Sequence, residues 1–275
     1  MSSILTNNSA MVALQTLKSV NSNLAKTQDM VSTGKAIGTA KDNSAIWAIS
    51  KVMESDVSGF KAVSESLSLG ESTVAVAAAG AEQITNLLNE IKEKVVTATG
   101  ENVDHAKITA DVTELTNQVN SIISASQFNG ANLLNAAGGN ITVLSSLDRD
   151  AAGTVTAANI TVASVDFETN IDLTDIDVSS ASAADSSIAN IEAHIQTAVD
   201  GAAALGASAK RISDQNEFVG KVMDAMKSGI GSLVDADMEE ASARLQALQV
   251  QQQLATQSLS IANQAPQAIL SLFSG

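Results

Sequence analysis

Two histidines and three closely spaced aspartates are the residues of this chain whose types could do chemistry. His105 and His194 are candidates for a general base or a metal ligand. His194 is followed by Ile-Gln-Thr-Ala, which lacks the glutamate and second histidine of a zinc-protease helix. The expected role of both is that of a helix-surface histidine, with His105 in a first turn beside Asp104. Asp172, Asp175 and Asp177 could face a calcium ion, but the glycine and distal glutamate of an EF-hand loop are missing. An acidic surface turn is the favoured reading. Cysteine is absent, so there is no disulfide framework, thiolate metal site or cysteine nucleophile. No glycine pattern that could cradle a phosphate follows a strand. Asn140-Ile-Thr and Asn159-Ile-Thr match the glycosylation tripeptide, which is short enough to recur by chance. Trp47 is expected to be a packing anchor. No enzyme and no cofactor is expected.

Composition points the same way. Of 275 residues, 45% are hydrophobic but only 2% aromatic, and there is one proline. Such alanine- and aliphatic-rich chains suit slender, closely packed helices. The net charge of −15 is uneven. Four lysines face one aspartate between Met1 and Lys41, whereas ten acids face one arginine between Asn135 and Asp200. No basic patch exists to neutralise phosphate, so nucleic acid is not an expected partner. The longest apolar run, Val74 to Ala79, is far too short to cross a membrane, and no membrane insertion is expected. The N-terminus does not read as a cleavable secretory signal, since no basic residue precedes Lys18.

Helices must position whatever function remains. Met238, Ala241, Leu245, Leu248, Gln252, Ala255, Leu259, Ala262, Pro266, Ile269 and Phe273 hold a 3-4 alternation, the seam of a coiled coil. Gln252 in that seam is a candidate register residue. Ala10, Ala13, Leu17, Val20, Leu24, Thr27 and Val31 repeat the spacing near the start, in a helix expected to begin near Asn7–Ser9 and stop at Gly34. A second helix, capped by Asp42 or Asn43, runs to Gly100, with a slip near Gly80 that suggests a locally over- or underwound coil rather than a break. A third, capped by Asp104, ends before Phe128-Asn129-Gly130. From Ile188 to Leu233 the alternation is unbroken, and its frame shifts at Val234–Asp237. That shift marks a joint, with the Gly34–Asp42 loop as its counterpart; Gly34, Gly38, Asp235 and Asp237 are the joint residues.

Between the helical halves, Ile141-Thr-Val, Asn159-Ile-Thr-Val, Val165-Asp-Phe and Ile171-Asp-Leu alternate partly and are separated by turn residues. A β-hairpin region at about 133–178 is expected, then a polar connector from Ser179 to Ser187. The fold class is mainly α: a long antiparallel coiled-coil bundle with a small β-hairpin region and paired N- and C-terminal helices. Residues 1–41 and 235–275 form the terminal pair, and residues 42–234 the bundle. So few large apolar residues in the pair offset little of an ordering cost of roughly 1–2 kcal/mol per residue. The pair is expected to order when copies stack.

Long motifs at both ends carry a family resemblance. Val31-Ser-Thr-Gly-Lys-Ala-Ile-Gly-Thr-Ala-Lys-Asp-Asn-Ser-Ala-Ile-Trp-Ala-Ile-Ser50 is similar to an N-terminal stretch of the bacterial flagellins. Ser126-Gln-Phe-Asn-Gly130 with Leu133-Leu134 resembles the motif closing their N-terminal half. Val234-Asp-Ala-Asp-Met-Glu-Glu-Ala-Ser-Ala-Arg-Leu-Gln and Ala262-Asn-Gln-Ala-Pro-Gln267 resemble their C-terminal signature. The Ala-Ile-Trp variant resembles alphaproteobacterial members, and the matching regions cover roughly two-thirds of the chain.

The resemblance implies a flagellar filament subunit, exported unfolded through the flagellar type III channel and located in the extracellular filament. It implies self-assembly through Leu17, Val20, Leu24, Leu245, Leu248, Gln252, Leu259, Ile269 and Phe273, with the terminal pair as inner tube and the bundle as outer tube. Implied partners are further copies, other flagellins, an export chaperone, and hook-junction and cap proteins. The receptor-recognition segment of some flagellins aligns with Glu90, Ile91, Lys92 and Glu93. Glu90 stands where receptor-activating members carry arginine, which implies weak activation of the flagellin-sensing Toll-like receptor. A hook–filament junction protein is the nearest rival reading. A chemoreceptor-like signalling coiled coil is a further one, but it would lack the strand-rich middle.

Overall fold

The computed structural model describes residues 7–150 and 152–273, with side chains as far as residue 264. Among the described residues, six helices carry the fold: α1 (Asn8–Thr33), α2 (Ser44–Ala98), α3 (His105–Ala125), the single turn α4 (Phe167–Asn170), α5 (Ala181–Val234) and α6 (Met238–Phe273). Their ends follow from local capping. Asn7 Oδ1 accepts from Ala10 N at 3.1 Å, and Gly34, in the left-handed region at φ 70°, donates its N–H to Met30 O. Asn43 caps α2 by accepting from the N–H groups of Ala45 and Ile46, and Asp104 caps α3 through Lys107 N.

The chain divides into two compact units. One gathers the residues up to Ser55 and from Ala225 onward; the other is Asp56–Asp224. The division falls inside α2 and α5, so the first turns of α2 and the last of α5 group with the terminal helices.

In the central unit, Ile191, Ala198, Leu205, Ile212 and Val219 of α5 recur every seventh residue and are at most 1% exposed. Leu67, Val74, Ile84, Leu88, Ile91 and Val95 of α2 are fully buried in the same core. A sustained heptad burying one stripe per helix is coiled-coil packing. α2 is uninterrupted through Gly80. There is no break at the expected slip, and Gly80 is a point of close approach, where Ser126 and Leu134 occupy the space a Cβ would fill.

The strand region is smaller than expected and differently placed. A short antiparallel pair, β1 (Gln127–Phe128) and β2 (Ala131–Asn132), precedes it, turning on Asn129 and Gly130, both at positive φ. The hairpin proper is β3 (Ile141–Arg149) and β4 (Val155–Val162), with an irregularity between Leu144 and Ser146. Val165–Phe167 and Ile171–Leu173 are not strands. Asp166 accepts from Thr169 N to cap α4, and Asp172 accepts from Thr174 N to start a 3-10 turn over Leu173–Asp175. Aspartate side chains that close turns locally outcompete a ladder here. The apolar residues of that segment, Phe167, Ile171, Leu173 and Val178, are buried plugs of the core. The expected Ser179–Ser187 connector is mostly helix, because Ser180 Oγ accepts from Ala183 N and α5 begins at Ala181.

Glycines seat the hairpin on α2. A Cβ at Gly70 would lie 2.5 Å from Val143 Cγ2, and one at Gly59 2.8 Å from Leu147 Cδ1. Arg149 fastens the far end of β3, its Nε and Nη2 donating to the Asp56 carboxylate. Alanine has the better helix propensity by about 1 kcal/mol, whereas overpacking costs about 1–3 kcal/mol. Gly70→Ala therefore lowers stability in denaturant unfolding. Gly206→Ala, with open space around its Cβ, raises it by about 0.5–1 kcal/mol. Equal responses would mean that Val143 yields freely.

Candidate assembly surface

The terminal unit is built on α1 against α6, running antiparallel. Its apolar seam is thin. Val20, Leu24 and Leu248 are buried, with Leu245 packed against them. Ala241 and Ala255 extend the buried stripe, and Leu17, Gln252 and Leu259 are half-buried. The side chains of Ile269 and Phe273 lie outside the described residues.

Polar pairs join the two helices at two levels. Gln252 Nε2 donates to Asn21 Oδ1 at 2.8 Å, and Asn7 Nδ2 to Ala262 O at 2.7 Å. Gln252 thus meets a polar partner within the seam, as register-setting residues do in coiled coils.

The two sequence joints meet. Ala36 N and Ile37 N donate to Val234 O, and Ala236 N donates to Gly34 O at 2.9 Å. Lys35 and Asp235 form the antiparallel bridge between these strands of backbone. Asp237 Oδ1 accepts from Glu239 N and Glu240 N, capping α6. Gly34 is needed for its left-handed φ; Gly38 has neither a positive φ nor a close neighbour. No periodicity could have signalled these bonds, because they join segments two hundred residues apart.

Asp42 closes the 39–42 turn by accepting from Thr39 N at 3.0 Å and from Thr39 Oγ1, and it pairs with Lys26 of α1. The Thr39 hydrogen bonds first, and Lys26 after them, hold its carboxyl below the usual carboxylate range. A depressed folded pKa means stability present above the unfolded value of about 3.9 and lost as pH falls through the lower folded value. Titration of wild type followed at the Thr39 amide by NMR should show an acid step below pH 3.9, absent in Asp42→Asn. A step in the variant at the same pH would assign it to another group.

Outside the seam, large apolar side chains remain in contact with water: Met11, Val12 and Leu14 on α1, and Val250, Leu254 and Ile261 on α6. A groove lined by Val12, Ala13, Thr16, Ala255 and Ser258 runs between the helices. No charged residue occurs before Lys18 or after Arg244. In the terminal unit seven basic residues balance seven acidic ones, whereas eight face 23 in Asp56–Asp224, so the whole net charge of −15 lies on the central unit. Uncharged, partly apolar faces on a neutral unit are suited to burial against another chain.

The remaining candidates have structural partners. His194 Nε2 lies 3.1 Å from Asp175 Oδ1 and His105 Nδ1 3.1 Å from Val178 O, so both imidazoles anchor the segment after α4 rather than sit free on helix surfaces. Asp172 and Asp177 close turns through Thr174 and Ser179, and these bonds lower both carboxyl pKa values. Trp47 is half-buried in the first turn of α2. Glu90 and Glu93 are exposed and Lys92 pairs with Glu192, but Ile91 is fully buried in the bundle core. Among the described residues, no group of three His, Cys, Asp or Glu could hold a metal ion. Among the described residues, no helix is long and apolar enough to cross a membrane.

Sequence comparison agrees with this geometry. The family model of the bacterial flagellin N-terminal helical region matches residues 4–138, and that of the C-terminal helical region residues 188–273. Flagellin FljM of Caulobacter vibrioides is 39% identical over 276 residues, covering 99% of each chain, and Flagellin FljO of the same species is 40% identical with the same coverage. A flagellin of Brucella melitensis is 39% identical over 283 residues, covering all of both chains. The chain belongs to the bacterial flagellin family. That family is one of structural proteins.

Proposed function

We infer that this protein is a structural subunit of the bacterial flagellar filament, polymerising into the helical tube that drives swimming. Family membership over nearly the full chain supports the reading, and one structural observation carries it. The terminal unit has a thin seam, exposed apolar side chains on both of its helices and no net charge, so its unsatisfied surface is covered only when copies stack. α1 and α6 then form the inner tube, with Leu17, Val20, Leu24, Leu245, Leu248, Gln252, Leu259, Ile269 and Phe273 as the assembly seam; the bundle forms the outer tube. Gly34, Asp235 and Asp237 hold the joint between the terminal pair and the long helices. Such a joint lets helices change relative angle without melting, and so gives the subunit two states.

Export through the flagellar type III channel, residence in the extracellular filament, and contacts with an export chaperone, hook-junction and cap proteins belong to the same proposal. No observation favours the hook–filament junction alternative. The test is salt-induced polymerisation of purified protein, followed by electron microscopy and helical reconstruction. Tubes with α1 and α6 innermost are expected. A chain that stays monomeric at every salt concentration, even with filament seeds, overturns the reading.

A further inference from the structure

One level of the central bundle departs from its apolar packing. Val63 and Leu67 of α2 and Ile212 and Val219 of α5 are fully buried, yet beside them half-buried Ser64 and Asn216 meet, with Ser68 at the exposed edge. Ser64 Oγ donates to Asn216 Oδ1 at 2.7 Å, and Asn216 Nδ2 donates to Ser68 Oγ at 3.3 Å. The preceding residue of α5 reaches the hairpin: Gln215 Nε2 donates to Ser145 O at 2.9 Å. Leu144 N in turn donates to Ser66 Oγ at 3.2 Å. Ser145 sits at the irregularity of β3, between Leu144 and Ser146, where it has no partner residue in the ladder. A bulge frees backbone groups that the ladder would otherwise use, and here α5 takes the freed carbonyl.

We infer that Ser64, Ser68, Gln215 and Asn216 are positioning residues that set the axial register of α2, α5 and the β3–β4 hairpin. The apolar seams cannot do this alone. The buried residues of α5 repeat every seven positions, so along the α2–α5 seam a slide of one heptad still matches apolar to apolar, although it moves Gly59 and Gly70 away from the hairpin they seat. The polar level is not periodic. A heptad slip would place Asn216 against Val57 or Glu71 and separate Gln215 from Ser145, breaking these hydrogen bonds at half-buried positions beside the seam. Asparagine at one seam position specifies register in coiled coils at a cost in stability. Here the hairpin is drawn into the same lock.

The consequence for assembly rests on the filament reading: a subunit that slips by a heptad cannot present the same lateral surface as its neighbours. The register itself is testable without polymerisation. The chain has no cysteine, so spin labels at Glu82→Cys and Lys221→Cys, exposed sites on α2 and α5, report the axial offset by pulsed electron resonance. The wild-type background should give one narrow distance. Asn216→Leu should keep or raise the melting temperature, yet add a component displaced by about 10 Å, seven residues at 1.5 Å each. The slipped population should rise on the order of tenfold. Ser64→Ala/Ser68→Ala should broaden the distribution likewise, and Gln215→Ala should speed amide exchange in β3 and β4 while the α2–α5 distance broadens less.

A single wild-type distance in both Asn216→Leu and the double serine variant overturns the inference. So does loss of the folded state in the double variant, which would make the level a source of stability rather than of position. If wild type fails to polymerise while the variants still shift the distance, the filament reading falls and the register lock stands.

Discussion

Ending the chain after Val250 abolishes filament growth and leaves the central bundle folded. The deletion removes the part of α6 that carries Gln252, Leu254, Ala255 and Ile261, and with it the Asn21–Gln252 and Asn7–Ala262 hydrogen bonds. What remains opposite α1 is the cluster of Val20, Leu24, Leu245 and Leu248, too few side chains to hold a 26-residue helix in order. The Asp56–Asp224 core contains none of the deleted residues. Electron microscopy should find no filaments, with or without seeds. Circular dichroism should show helix lost from the ends, and thermal unfolding should retain a cooperative transition for the bundle. Filaments from the truncated chain would remove α6 from the assembly mechanism. Loss of the cooperative transition would mean that the bundle depends on the terminal pair.

Phe167→Ala destabilises the central bundle by about 3–5 kcal/mol, the range for removing a buried phenylalanine. Phe167 is fully buried, and its ring lies where a Cβ at Gly201 of α5 would come within 2.5 Å. Its N–H donates to Leu134 O at 2.8 Å, and Val165 N to Leu133 O, so backbone and ring pin the same segment from two sides. The truncated ring leaves a cavity that α5 cannot fill, because Gly201 offers no side chain. The difference should be read from urea unfolding monitored by circular dichroism. A loss below about 1 kcal/mol would mean that the segment collapses into the space, since the cost follows the residual cavity.

Phe167 also marks where the sequence stops being legible. Helix ends could be read because their causes are local: Asn7, Gly34 and Asp104 act within four residues of where they stand. The heptads could be read because burial on α2 and α5 is periodic. Phe167 lies in an acidic stretch whose partial alternation imitates a strand, and only its distant neighbours Leu134 and Gly201 make it a core residue. The same holds for Gly59, Gly70 and Gly80. Each resembles an ordinary helix weakness until the hairpin or the Ser126–Leu134 segment is placed over it. His105 and His194 resembled surface residues because the backbone and carboxylate they meet are 73 and 19 positions away. In the terminal unit the seam was legible as a pattern. That Gln252 would find Asn21, and that Val234 O would accept from Ala36 N and Gly34 O from Ala236 N, depended on an antiparallel alignment that no local signal encodes.

The division of charge between the units separates cohesion from dispersal. A neutral unit has no long-range field of its own to overcome when one copy docks on another, so the seam closes by short-range contact, and salt favours growth by screening the charged units that approach with it. The unit carrying −15 acts at the next scale, where whole polymers meet. Like-charged surfaces hold each other off across roughly 8 Å at physiological ionic strength. The colloidal behaviour of the polymer is thus set by residues that take no part in the seam. Multivalent cations should gather intact filaments into bundles while leaving the repeat within each filament unchanged.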